Sequence, residues 1–261
     1  MMEELLTKEY FDTYTVLLDV DIASAFAAVK EKEWTAENFR FYTAVSVMSS
    51  SKIEGETLEI DSYLKHKLQD IEYLPNLTEK PNDLYKAYEF ARDNELTKTN
   101  FLKAHAISTK HLLPLSQRGK VRTGNMVIME QHTNRVQYEA ASAGLVKKEF
   151  DRFWKELTTL ISRPLNINEV FYFAALIHLV FVKIHPFNDG NGRTGRLLEK
   201  WFLSSKLGAN AWYIGSEYHY YQNLQAYYNN LRIPGLFYEE LNYDQGLPFL
   251  LMLPQALVSQ K

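Results

Sequence analysis

Apolar residues recur at helical spacing over most of the chain and alternate in only one short stretch. Phe39, Tyr42, Val45 and Val47 fall near a 3.6-residue period from Glu37 to Met48, and the run continues to Gly55, which the pattern predicts as a helix stop. A second helical segment is expected around Ser62 to Leu68. Pro75 and Pro81 mark a turn-rich connection, after which Leu84, Tyr85, Tyr88 and Phe90 restore the helical period from Asp83 to Asn94. Asn100 opens another helix that ends before Pro114. Between Gly119 and Gly144 the texture changes. The stretch VRTGNMVIMEQHTNRVQYEA alternates apolar and polar residues around the turn-prone His132 to Asn134, which predicts a hairpin. Lys147 to Leu160 then returns to helix.

Asn166 followed by Glu169 predicts an N-cap with an acidic third residue, opening a helix that is apolar nearly all round and runs to Ile184. Its most apolar part, Val170 to Val182, falls short of the roughly 20 residues of a membrane span, and a buried helix is expected. Pro186 ends it, because proline disfavours helical geometry at the preceding residue, so His185 stands at the junction of helix and loop. Thr194 to Lys206 forms the next helix, stopped by Gly208, and a Tyr-rich helix follows from Glu217 to Leu231. The pattern therefore predicts an all-α, mainly helical chain with one short hairpin.

Composition narrows the function classes. The 261 residues are 46% hydrophobic and 23% charged, ordinary values that exclude a disordered or fibrous chain. Cysteine is absent, which removes disulfides and thiolate metal sites. With a net charge of −3 and no dense basic patch, a nucleic-acid partner is not expected. The amino terminus, MMEELLTKEY, is acidic where a secretory signal is basic and then apolar, so a cytoplasmic location without a membrane partner is expected.

Candidate chemistry is concentrated in His185 to Arg196, which reads HPFNDGNGRTGR. A Gly-Asn-Gly turn leading into a helix amino terminus is a ready anion cradle, since unpaired N–H groups and the dipole end both favour negative charge. Arg193 and Arg196 are three apart and share a helical face, so they can converge on one polyphosphate. Asp189 is suited to a magnesium ion bridging phosphate oxygens, and a neutral His185 can take a proton from an attacking hydroxyl. Other motifs overlap this stretch. Gly190, Gly192 and Gly195 satisfy GxGxxG with Glu217 as a ribose-binding acid, but that fold needs a preceding strand and the apolar run here is too long for one. A calcium loop starting at Asp189 would put Arg193 and Lys200 at ligand positions, which excludes it. A polar turn between two helices would account for the glycines and Asn191, though not for the histidine, the aspartate and the two arginines around them.

HPFNDGNGRTGR resembles the signature of the Fic family, HxFx[DE]GNGRxxR, at every fixed position. Gly119 and Arg122 ahead of the hairpin resemble the start of that family's target-binding flap, with Val127, Ile128, Met129 and Glu130 as its strand. Tyr220-Tyr221-x-x-Leu224 is similar to the nucleotide-proximal helix. The resemblance implies a helical Fic bundle with a β-hairpin flap, residues 1–95 forming an amino-terminal helical extension and 96–261 the catalytic core, together one compact unit. It implies transfer of AMP from ATP to a protein Ser, Thr or Tyr hydroxyl, with His185 as general base and Asp189 as Mg²⁺ ligand. The nucleotide would be held by Asp189, Gly190, Asn191, Gly192, Arg193, Thr194, Gly195 and Arg196, with Tyr221 at the adenine and Phe187 as a core anchor. In Doc-like kinases of the family a lysine commonly replaces the second cradle glycine; Gly192 stands here, which favours nucleotidyl transfer. Where some relatives carry an asparagine for the adenine, this chain has Tyr228.

Ser50, Glu54 and Gly55 match [ST]xxxE[GN], the family's inhibitory motif, on one helical face. The resemblance implies that Glu54 pairs with Arg196 and occupies the guanidinium meant for the γ-phosphate, with Ser50 hydrogen bonding to hold the glutamate. Two other readings stay open: a Fic enzyme that uses another nucleotide or removes AMP from a target, with Glu54 orienting a water, and a non-catalytic nucleotide-binding regulator. The partner implied is a hydroxyl-bearing protein, with self-modification and oligomer formation as further possibilities. His178 is expected to be a satisfied core histidine, and His105 and His111 lack carboxylates at ligand spacing.

Overall fold

In a computed structural model, which describes residues 4–31, 33, 35–129 and 136–259, the chain is helical apart from one hairpin. Two short helices, α1 (Phe11–Leu17) and α2 (Ile22–Lys30), precede the long α3 (Ala36–Ile53), α4 (Ile60–Leu68), α5 (Pro75–Arg92) and α6 (Lys98–Ser108). Strands β1 (Val127–Met129) and β2 (Val136–Glu139) pair antiparallel, with Ile128 opposite Tyr138 and a bulge between Ile128 and Met129. Then come α7 (Val146–Ser162), α8 (Ile167–Ile184), α9 (Asn191–Leu207), α10 (Ser216–Gln222), α11 (Leu224–Arg232), α12 (Leu247–Leu250) and α13 (Met252–Gln255).

The all-round apolar helix α8 lies at the centre. From Glu169 to Ile184 every residue but Val182 is buried, with α9, α7, α12, α1 and α2 packed around it. Its length and composition are those of a helix that can cross a membrane, yet the surface it would offer to lipid is covered by protein. The expected cap is present as a full capping box: Asn166 Oδ1 accepts the Glu169 N–H at 3.0 Å and Glu169 Oε2 accepts the Asn166 N–H at 2.8 Å.

Three local expectations change. Pro75 to Arg92 is one helix with Pro75 in its first turn and Pro81 inside it, where a turn-rich connection was expected. A proline in a helix interior costs about 3 kcal/mol; here Pro81, Leu84, Tyr85 and Tyr88 are all buried, and that packing offsets the lost bond. The Tyr-rich tail helix is broken at Asn223 (φ −114°, ψ 38°) into α10 and α11. Helix α9 begins at Asn191 rather than Thr194, so the arginines stand inside its first two turns.

The described residues up to 95 share the core of the rest. Phe39 of α3 and Tyr88 of α5 meet Trp212 edge to face at 6.2 and 6.1 Å. Buried polar contacts join the same elements: Lys200 of α9 donates to Ser46 Oγ of α3 at 2.7 Å and pairs with Glu217 of α10, which accepts from Tyr88 at 2.6 Å. That pairing also disposes of Glu217 as a ribose acid, since the carboxylate is wholly buried and committed.

Candidate active site

The loop between α8 and α9 is held by its own side chains and by two upstream residues. His185 caps α8 in left-handed geometry (φ 51°, ψ 60°), with its N–H still donating to Phe181 O at 3.0 Å. Asn191 closes the loop on itself, accepting the Phe187 N–H at 2.9 Å and donating to Phe187 O at 2.8 Å. Gly190 has φ +79°, and a Cβ there would lie 2.6 Å from Thr109 Cγ2, so both backbone and space require glycine. Buried Phe187 anchors the turn, stacked on His105 with ring centroids 3.7 Å apart. His105 Nδ1 accepts the Gly119 N–H at 2.9 Å, so Nε2 carries the proton and donates to Asp189 O at 3.0 Å. Arg122 grips the other side: its Nε donates to His185 O at 2.8 Å, Nη1 to Gly124 O at 2.6 Å and Nη2 to Ala141 O at 2.5 Å. One guanidinium thereby ties the histidine's backbone to both roots of the hairpin.

This anchoring fixes the chemistry of His185. Its Nδ1 faces Val182 O at 3.1 Å, and a carbonyl only accepts, so Nδ1 bears the proton and Nε2 is left as a base. Burial, aided by the nearby Arg122 charge, pushes the imidazole pKa down to about 4, against the opposing influence of Val182, Glu54 and Asp189. At neutral pH the ring is therefore uncharged and ready to accept a proton.

Arg196 stands one turn into α9, fully buried, and every nitrogen is engaged. Nε donates to Ser50 Oγ at 2.8 Å, Nη1 to Tyr227 Oη at 2.9 Å, and Nη2 to Ser50 O at 3.2 Å and Glu54 Oε1 at 2.5 Å. Ser50 thus holds the arginine, where sequence reasoning expected it to hold the glutamate. Glu54 is the C-cap of α3, and Gly55 follows at φ +89°. The Glu54 carboxylate is 30% exposed toward the cleft and presses on Gly192, where an added Cβ would collide with Oε1. Burial raises its pKa, but the charges of Arg196 and Arg193 and the Arg196 hydrogen bond outweigh burial and hold it below the usual carboxylate value. Arg193 lies nearby, its Nη2 at 3.8 Å from Glu56 Oε1 and its buried Nε and Nη1 without protein partners.

Glu54, Gly192 and Arg196, with His185, border a cleft of about 690 Å³ that Arg193 and Asp189 do not line. It is lined also by Ile128, Met129 and Tyr138 of the hairpin, and by Tyr227, Tyr228 and Leu231 of α11. Val127 is exposed beside Ile128, and Glu130 lies outside the described residues. Tyr221 does not border the cleft: it sits on α10, 5.7 Å from the Lys52 ammonium, because the break at Asn223 hands the aromatic wall to α11. Thr194 and Gly195 also serve the helix itself, Thr194 Oγ1 donating to Gly190 O and Gly195 packing on His178 and Phe181. Asp189 is exposed, with Oδ1 accepting the Gly190 N–H at 2.5 Å. No cluster of three acidic or histidine ligands exists among the described residues. One free carboxylate oxygen fits a Mg²⁺ ion, which keeps several waters and takes further oxygens from bound phosphates.

Two histidines outside the motif loop matter to it. His105 had no local signal, yet it anchors Asp189. His178 is the satisfied core histidine expected, but it also supports the site: Nδ1 meets Glu199 at 2.8 Å, and Nε2 meets at 3.2 Å the Tyr227 hydroxyl that receives Arg196. His111 pairs with buried Asp83 at 2.6 Å, a partner 28 positions away that spacing did not reveal.

Residues 95–203, which hold both His105 and the motif loop, match the sequence model of the Fic/DOC family. That segment is a Fic domain. A curated relative of this Fic domain, "Protein adenylyltransferase Fic" of Drosophila ananassae, is 34% identical over 104 residues, 40% of this chain. The chain covers only 19% of that protein's length. Among solved structures, a Fic family protein of Desulfovibrio desulfuricans superposes with a TM-score of 0.78 at 20% identity, over 97% of this chain and 74% of that one. A Fic domain containing signaling protein of Bacteroides thetaiotaomicron gives 0.63 at 19%, over 91% and 94%. Fic-1 of C. elegans gives 0.60 at 16%, over 91% and 69%. These likenesses establish that the Fic fold takes in the amino-terminal helices as well as the motif-bearing region.

Proposed function

We propose that this Fic-domain protein transfers AMP from ATP to a hydroxyl of a protein side chain, and that Glu54 holds the reaction in check. The observation that carries the reading is the bare Nε2 of a neutral His185 in the same cleft as Gly192 and Arg196. The hydroxyl oxygen attacks the α-phosphorus, its proton passes to His185 Nε2, and the bond to the β-phosphate oxygen breaks to release pyrophosphate. Arg193 and Arg196 neutralise the leaving pyrophosphate, and the N–H groups that open α9 face the phosphate oxygens. Asp189 would hold Mg²⁺, which supplies charge neutralisation on the phosphates when bound. The α11 wall of Tyr227, Tyr228 and Leu231 is suited to the nucleobase, and the hairpin wall to the target segment.

Restraint follows from charge competition. While Glu54 pairs with Arg196, a phosphate must displace a carboxylate to reach that guanidinium. The curated relative's name supports the reaction class. The test is intact-mass analysis of the wild type and Glu54→Gly after incubation with ATP and Mg²⁺, with each other nucleoside triphosphate in parallel. Mass gain by one AMP, larger in the variant and absent after His185→Ala, is the expected result; no gain with any nucleotide refutes transferase activity.

A further inference from the structure

Both motif arginines are met by a carboxylate from the same three-residue segment at the end of α3. Glu54 holds Arg196, and two positions on, Glu56 Oε1 lies 3.8 Å from Arg193 Nη2. The chain reversal that follows α3 sets this up: Gly55 takes φ +89°, and the Glu56 N–H returns to Ser51 O at 3.1 Å, which turns the second glutamate back over α9. Glu56 is 13% exposed and has a second cationic neighbour, Lys80 of α5, whose Nζ donates to Oε1 at 2.9 Å. Arg193 is 7% exposed, with Nε and Nη1 buried and without protein partners, which marks it as a cation built to receive an anion.

We propose that Glu56 is a second carboxylate standing in the pyrophosphate end of the nucleotide site, on Arg193 as Glu54 stands on Arg196, and that Lys80 is the cation that receives it when phosphate arrives. The inference rests on the nucleotide reading above. An Oε1 shared by Lys80 and Arg193 occupies the space between two cations much as a phosphate oxygen would. Because the hydrogen bond is to Lys80 and the contact to Arg193 is longer, Glu56 can give up Arg193 without being stranded. Removal of Glu54 alone then leaves the site half released. Lys80 acts through Glu56, as a positioning residue.

The experiment measures affinities of ATP and AMP, with Mg²⁺, for Glu54→Gly, Glu54→Gly/Glu56→Gln, Glu54→Gly/Lys80→Met and the triple variant. Adding Glu56→Gln should tighten ATP about fivefold, the scale of a partly exposed ion pair, and leave AMP within twofold, because AMP lacks the phosphates that compete. Adding Lys80→Met to Glu54→Gly should weaken ATP, since Glu56 then leans wholly on Arg193; in the triple variant that loss should vanish. Equal effects on ATP and AMP, no tightening by Glu56→Gln, or a Lys80→Met loss that persists without Glu56 each overturn the proposal. Failure of Glu54→Gly to bind ATP at all would instead remove the nucleotide reading itself.

Discussion

Replacing Glu54 by glycine isolates the contact on which the proposed restraint depends. The ion pair to Arg196 is 2.5 Å long, with the arginine fully buried and the glutamate 30% exposed. Breaking a fully buried pair costs about 3–5 kcal/mol, because the remaining charge is stranded. Arg196 keeps Ser50 Oγ, Ser50 O and the Tyr227 hydroxyl, and loss of the Glu54 side chain opens it to the cleft, so about 2–3 kcal/mol is the reasonable scale. That energy opposes any phosphate that must take the place of Glu54, and at 1.4 kcal/mol per decade its removal should tighten ATP binding about 30- to 150-fold. The same variant should lose apo stability, with the thermal midpoint falling by a few degrees for a chain of this size, and regain more than the loss when ATP is added. Titration calorimetry and melting curves with and without ATP and Mg²⁺ read both effects. An unchanged ATP affinity, or a weaker one, would show that Glu54 helps build the site rather than obstruct it.

Further outcomes follow from the loop. His185→Ala should abolish transfer and leave ATP affinity within about threefold, because the ring serves the proton and the backbone of the loop serves the phosphates; retained transfer removes it from the base role. Since burial holds the free-enzyme imidazole near about 4, kcat/KM should be flat between about pH 6 and 8, with its acid limb well below histidine's usual value. Here the base form exists above the folded pKa, so activity is lost as pH falls through it, and a limb at 6 or higher refutes the assignment. His105 is held near about 4 as well, so the unfolded chain takes up protons at both rings first as pH drops below about 6.5. Stability should therefore decline from there toward pH 4, and a pair of His185→Asn and His105→Gln variants should flatten that decline. Gly190→Ala, with φ +79° and a 2.6 Å approach to Thr109, should cost about 2 kcal/mol or more in chemical denaturation; an unchanged midpoint contradicts the geometry.

Much of this protein is local, and local features are legible. Helical periods, the Asn166 capping box, the Gly55 and Gly208 stops and the alternating hairpin each depend on residues within a few positions of one another, so the sequence carries them directly. The motif loop is equally local: histidine, aspartate, cradle glycines and both arginines lie within twelve positions, and their order marks a candidate anion site at a helix start. Pro81 misled because buried packing overrode the local signal.

Only the fold could decide what faces the loop. Arg196 meets Ser50, Glu54 and Tyr227 from 146, 142 and 31 positions away, and Asp189 is steadied by a histidine 84 positions upstream. No period or spacing records such separations, because they are set by how α3, α6 and α11 pack around α8 and α9. The Ser50 and Glu54 motif suggested the pairing; the packing assigned Ser50 to the arginine, set Tyr227 rather than Tyr221 beside Tyr228 in the aromatic wall, and brought Glu56 to Arg193. The sequence by itself determined which groups the protein owns, and tertiary structure determined which of them oppose one another, since charge competition depends on distance through space and not along the chain.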